Sequence, residues 1–156
     1  MLATIKRYDL VAVIGLGEED NKLWCLYNLR DGTDVTLVSW GGALQETLAA
    51  ADQLAEEGIA AEVIDVATLK PLDMDSILAS VAKTGRCVIV HEAARTSGVG
   101  AEIAANIAEH GLYSLLAPVQ RVTGYDVVMP LPRLEHHYLP SVERILAAVW
   151  KMLEGA

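Results

Sequence analysis

Apolar and polar positions change period several times along the chain, and each change marks an element. From Asp34 to Val38 (DVTLV) the residues are apolar or β-branched over the length of a strand. Asp31-Gly32 supplies a turn before it and Gly41-Gly42 follows. The period then becomes helical from about Ala43 to Glu57. Leu44, Leu48, Ala51 and Leu54 form the inward stripe, with Gln45, Glu46, Gln53 and Glu56 outward. Gly58 is placed to end that helix, because glycine accepts the left-handed conformation past a last turn. Ala61 to Val66 predicts a second strand. Leu69-Lys70-Pro71-Leu72-Asp73 reads as a loop, after which Asp73 or Asp75 can cap a helix to about Lys83. Met74, Ile77, Leu78 and Val81 face inward there, and Gly85 stops it.

Cys87 to Val90 is the next buried strand. It gives way to a polar loop, His91 to Ser97, then passes Gly98 and Gly100 into an alanine-rich helix reaching about His110-Gly111. Leu112 to Leu116 is a short apolar piece, and Val119 to Val122 the last strand. The segment from Gly124 through Pro130, Pro132 and Pro140 is expected to be irregular. A final helix from about Ser141 to Leu153 buries Val142, Ile145, Leu146 and Val149. Residues 9–29 alternate only weakly about a polar turn at Glu18-Glu19-Asp20-Asn21, which predicts a β-hairpin. The chain therefore divides into a divergent segment, residues 1–30, and an α/β unit, residues 31–156. Alternation of strands and helices implies a mainly parallel sheet covered on both faces.

Charge narrows the partners. A net charge of −9 over 156 residues repels phosphate backbones and attracts basic surfaces, so nucleic acid is not an expected partner. Apolar residues make up 53% of the chain, slightly more than a soluble domain usually carries, yet no apolar run is long enough for a membrane span. The surplus points to strands buried on both faces or to a surface meant for a partner. Cys25 and Cys87 both sit in apolar runs and read as buried free thiols. Lys6-Arg7 before Leu10 to Ile14 lacks a signal-peptide cleavage site, so a cytoplasmic or organelle-matrix location is expected.

Candidate chemistry is sparse. Gly15 and Gly17 in VAVIGLGEED imitate a dinucleotide-binding start, but Glu18, Glu19 and Asp20 would face the pyrophosphate. His136-His137 are expected to point apart in an extended loop, and His91 has only Glu92 beside it, so no metal site is assigned. Ser39 and Ser97 lack the order of a nucleophile elbow. Gly98 and Gly100 at a helix start could cradle an anion, although Glu102 in the first turn opposes it. A free-standing small α/β enzyme or nucleotide binder using that loop with His91, Glu92 and Arg95 is the alternative reading. The favoured one makes those three a hydrogen-bonded set at a subunit seam.

Several ordered motifs carry a family resemblance. Asp31 to Ser39, Ala49-Ala50-Ala51 with Leu54 and Gly58-Ile59, Ala61 to Asp65, Leu69 to Asp73 and Lys83 to Arg86 resemble the C-terminal domain of transketolase-like enzymes. Val90-His91-Glu92-Ala93, Gly98 to Glu102, Leu116-Ala117-Pro118, Arg121 to Asp126, Pro130, Leu134-Glu135 and Leu139-Pro140 resemble the beta subunit of the decarboxylating component of 2-oxo acid dehydrogenase complexes, pyruvate or branched-chain type. The resemblance implies a three-layer α/β/α fold with a mainly parallel five-stranded sheet and one antiparallel edge strand, supplied by residues 10–15 or 23–29. It also implies that thiamine diphosphate and its magnesium bind outside this region, between the alpha subunit and the beta subunit's other domain. No catalytic, cofactor-binding or metal residue is then expected here. The implied role is non-catalytic assembly and docking, in a homo-oligomer and with the alpha subunit and the dihydrolipoyl acyltransferase as partners. His91, Glu92, Arg95, Arg121 and Glu135 are the subunit-interface candidates, and Glu143, Glu154 and Ala156 the candidates for docking a basic partner. The chain begins where the resemblance would place a preceding domain, so it is expected to be an excised or engineered piece. An artificial fusion without biochemical activity is a further alternative.

Overall fold

The computed structural model describes residues 26–155. Strand β1 (Tyr27–Arg30) is followed by β2 (Val35–Ser39), helix α1 (Ala43–Glu56), β3 (Ala61–Asp65) and α2 (Met74–Thr84). Then come β4 (Cys87–Ala94), α3 (Val99–His110), a 3-10 turn (Leu112–Ser114), β5 (Gln120–Gly124), the short α4 (Glu135–Tyr138) and α5 (Val142–Glu154). The five strands form one sheet in the order β1-β3-β2-β4-β5. All neighbours are parallel except β1, which runs antiparallel against β3, with Tyr27 opposite Asp65 and Asn28 opposite Ile64.

Helices cover both faces, as strands with continuous apolar runs require. On one face, Val35, Leu37, Val63, Val88 and Val90 meet α1 and α5 through Leu54, Ile145 and Val149. On the other, Val38, Ile64 and Ile89 meet α2 and α3 through Ile77, Val81, Ile103 and Ile107. Alternate residues of each strand thus serve opposite cores.

Caps match the expected chemistry at several ends. The Asp73 carboxylate accepts from the Ser76 amide at 3.1 Å, and Gly85 closes α2 in the left-handed conformation at φ 71°. The Ser141 hydroxyl accepts from the Arg144 amide at the start of α5. Buried polar groups are also paired. Thr36 Oγ1 lies 2.7 Å from Ser80 Oγ and 2.8 Å from Thr84 Oγ1, tying β2 to α2. Glu62, only 3% exposed, pairs with Lys83 across the β3–α2 contact.

Four expectations change. The polar run after Val90 is not all loop: β4 continues through Ala94, because β5 supplies backbone partners regardless of side-chain polarity. The proline-rich segment holds one helical turn, α4, between Pro132 and Pro140, where it buries Tyr138. The inward stripe of α1 centres on Thr47, Ala50, Ala51 and Leu54, with Leu44 and Leu48 half-buried at its flank. Small residues face the sheet and let the helix approach closely. The antiparallel edge is Tyr27–Arg30, and it lies in the same sheet as the elements after residue 31. The rest of the expected hairpin, the glycines at 15 and 17, and Cys25 lie outside the described residues.

Candidate subunit-interface and docking surfaces

The C-terminal ends of β2 and β4 diverge where the sheet order reverses, the position at which open α/β sheets usually take ligands. In this chain that position is filled largely by its own side chains. His91 is fully buried at the end of the apolar run of β4. Its imidazole stacks on Trp40 with ring centroids 5.2 Å apart and an interplanar angle of 12°. Its other side faces the start of α3 so closely that a Cβ on Gly100 would strike Nε2, and one on Gly98 would lie 2.8 Å from Cε1. Those glycines are explained by the ring they accommodate. Among the described residues neither imidazole nitrogen has a hydrogen-bond partner, so packing alone holds the ring. Burial, and then the nearby Arg121 charge, push its pKa below the ordinary histidine value.

Beyond His91 the β4–β5 register slips before Ala94 meets Gly124, leaving Glu92 and Ala93 in a bulge. The bulge turns Glu92 outward, where its carboxylate lies against Gly42 at the start of α1. Negative charge there complements the helix dipole. Glu92 also borders an open cleft of ≈ 260 Å³ with Glu46, His136 and Ser141. Arg95 and Arg121 face each other across the same edge. Arg95 Nη1 donates to the Arg121 carbonyl at 3.0 Å, and Arg121 Nη1 donates to the Arg95 carbonyl at 3.1 Å. Thr96 then donates its amide and its hydroxyl to the two Asp126 oxygens, each at 2.8 Å, holding that carboxyl below its usual pKa.

The seam candidates are therefore brought together only in part. His91, Glu92, Arg95 and Arg121 cluster at the β4–β5 end, but His91 lies inside the chain and Glu92 points toward α1. Glu135 is exposed at the start of α4, in a different contact set. Glu143 and Glu154 stand at opposite ends of α5. Eleven residues bring a helix back to nearly the same face about 16 Å along its axis, so the two carboxylates flank Ala147 and Trp150 on one stripe. The Glu143 carboxyl is held below its usual pKa by its own amide and by the Ser141 hydroxyl. Ala156 lies outside the described residues. His136 and His137, expected to point apart, instead sit in helical α4 with ring centroids 3.9 Å apart. No group of three or more His, Cys, Asp or Glu side chains converges for a metal among the described residues. Cys87 is a buried free thiol whose pKa burial pushes up to about 12.

Sequence reasoning missed Arg144. Its guanidinium donates to the carbonyls of Thr123 at 2.6 Å and Leu139 at 3.1 Å, and lies 4.6 Å from the Tyr125 ring centroid. It thereby fastens both ends of the segment between β5 and α5. That segment carries the other missed feature, an exposed apolar run from Tyr125 to Leu134 in which Val128 is 92% exposed and Leu131 82%. The run was readable as apolar residues without strand or helix period among prolines. An arginine among helix-start residues carries no comparable signal.

Comparison with known proteins places these features. A family profile described as "Transketolase, C-terminal domain" matches residues 26–145. The pyruvate dehydrogenase E1 component subunit beta of Staphylococcus epidermidis is 44% identical over 125 residues, covering 80% of this chain and 38% of that subunit. The Bacillus subtilis subunit of the same name is 42% identical over 141 residues, covering 90% of this chain and 41% of its own length. The chain thus spans about two-fifths of the curated relatives it matches. Among solved structures, one titled "Split gene transketolase, inactive beta4 tetramer" aligns with a TM-score of 0.73 and 35% identity, covering 83% of this chain and 41% of that one. A 2-oxoglutarate:ferredoxin oxidoreductase from Magnetococcus marinus shares the fold at a TM-score of 0.54 and 16% identity, over 82% of this chain and 19% of that one.

Proposed function

The chain belongs to the transketolase C-terminal domain family, and from that premise we propose that it is the assembly and partner-docking domain of a pyruvate-dehydrogenase-type beta subunit. The observation that carries this reading is His91. Its imidazole takes up the space at the start of α3 that an anion would need, and Trp40 closes its other face. The remaining polar groups of that edge are engaged in holding loops: Arg95 with Arg121, Thr96 with Asp126, Glu92 against α1. Thiamine diphosphate with magnesium would need an open cradle for its diphosphate and converging carboxylates for the ion. The described residues do not fit that group, and no step of its chemistry is assigned to them. The same crowding argues against the alternative nucleotide-binding use of Gly98 to Gly100.

Two kinds of partner follow. A second copy is favoured by the exposed apolar surface and by a relative titled as a tetramer. A basic partner, such as the subunit-binding region of a dihydrolipoyl acyltransferase, is favoured by the α5 stripe of Glu143, Trp150 and Glu154, where cation–π and charge attraction coincide. Light scattering on the whole chain at micromolar concentration, paired with calorimetric titration of thiamine diphosphate plus magnesium, tests the reading. A mass above 16.8 kDa and no heat of binding are expected. A clean monomer, or tight cofactor binding, overturns it.

A further inference from the structure

We infer that the Tyr125–Leu134 strap is a two-fold interface between copies of this chain, with Leu134 at the axis and Arg133 of each copy paired to Glu135 of the other. The proposal rests on the assembly reading above and adds the surface, the symmetry and the residues. Tyr125, Val127, Val128, Met129, Leu131 and Leu134 are all exposed, although the segment that carries them is not loose. Arg144 holds Thr123 at one end and Leu139 at the other, Asp126 is tied to Thr96, and Tyr138 is buried beneath. A fixed strap loses little conformational freedom when a partner covers it, which favours association. These side chains offer roughly 700 Å² per copy, so a two-fold contact would remove about 1,400 Å² from water, within the range of specific interfaces.

Charge selects the occupant. The chain as a whole carries −9, so two copies repel over most of their surface. The strap is where that repulsion is weakest. Its Asp126 is satisfied internally, and its other charges, Arg133 and Glu135, are opposite in sign, exposed and in no salt bridge among the described residues. A two-fold axis beside Leu134 sets each arginine against the partner's glutamate, giving two attractive pairs at the rim of an apolar centre. A basic partner would gain nothing from so neutral and apolar a face.

Sedimentation of the full chain and four variants tests this, with circular dichroism confirming the fold of each. Val128→Asp and Leu131→Asp, both at exposed positions, should split the assembly into halves. Arg133→Glu and Glu135→Arg alone should each raise its dissociation constant ~10-fold or more, since each creates two like-charge pairs. The combined Arg133→Glu/Glu135→Arg chain restores opposite pairs and should return to within a few-fold of the parent. Variants that sediment like an oligomeric parent overturn the inference and leave the assembly reading standing. A combined variant weaker than either single one also overturns it, because the pairing is then not reciprocal. A lowered melting temperature at unchanged mass overturns it in favour of a cover from within the chain. A parent that is monomeric at micromolar concentration overturns both readings.

Discussion

Arg95 and Arg121 each donate a guanidinium N–H to the other's backbone carbonyl, at 3.0 and 3.1 Å, so two like charges clasp one edge of the sheet. The clasp closes the β4 bulge onto β5 and leaves the Arg121 charge near His91. Either arginine replaced by alanine should lower stability by about 0.5–1 kcal/mol, the exposed location keeping the loss small. The double replacement should cost less than the sum, because each contact depends on the backbone position the other fixes. Urea titrations of the three variants read this directly.

Gly100→Ala should be markedly worse than an ordinary surface change. The new methyl would meet the His91 ring and sit 3.2 Å from Ile89 Cγ2. Overpacking of this kind costs roughly 1–3 kcal/mol. In a His91→Ala background the same change should cost much less, since the ring that occupies the space is gone. Equal penalties in both backgrounds would show that the strain lies elsewhere.

Stability should fall as pH drops below the ordinary histidine value of 6.5. The folded His91 stays neutral at pH values where an unfolded histidine is already protonated, so the unfolded state gains protons first. The contribution is complete above 6.5, is lost on acidification through that value, and levels off below the depressed value in the fold. His91→Gln should flatten the slope over this window. Asp126, also depressed, acts in a separate window, below the usual carboxyl value of 3.8. Denaturation midpoints measured from pH 8 to pH 4 separate the two.

Arg144→Ala should destabilise the chain by about 1.5–3 kcal/mol, the scale of charge-assisted hydrogen bonds to partly buried carbonyls. Arg144→Lys keeps the charge but loses the fork that reaches Thr123 and Leu139 together, so it should recover less than half of that loss. Trypsin cleavage at Arg133 should quicken in both variants as the strap loosens.

Apolar periodicity made most of the architecture legible. Val35 to Val38, Ala61 to Asp65 and Cys87 to Val90 are apolar on both sides because helices cover both faces of the sheet, and Asp73, Gly85 and Ser141 marked helix ends by their capping chemistry. What stayed hidden depends on partners distant in sequence. His91 reads as a loop residue because imidazoles are usually wet, and only the fold supplies Trp40 on one side and Gly100 on the other. The four-residue edge strand has no strong alternation, its pairing with β3 being set by backbone groups rather than by side chains. Arg144 acts on three carbonyls, which no sequence pattern encodes.

The placement of β1 beside β3, rather than beside β2, has a consequence for the order in which the sheet can be completed. Tyr27–Arg30 has no backbone partner until Ala61–Asp65 exists and has been laid against β2. During synthesis the strand that emerges first among those described must therefore wait through α1 before it can join the sheet. Pairing Arg30 with Asp52 of α1 gives that waiting strand a contact available earlier than its ladder. The edge that closes late in folding is also the one expected to open first, and hydrogen exchange should be fastest at the amides of β1.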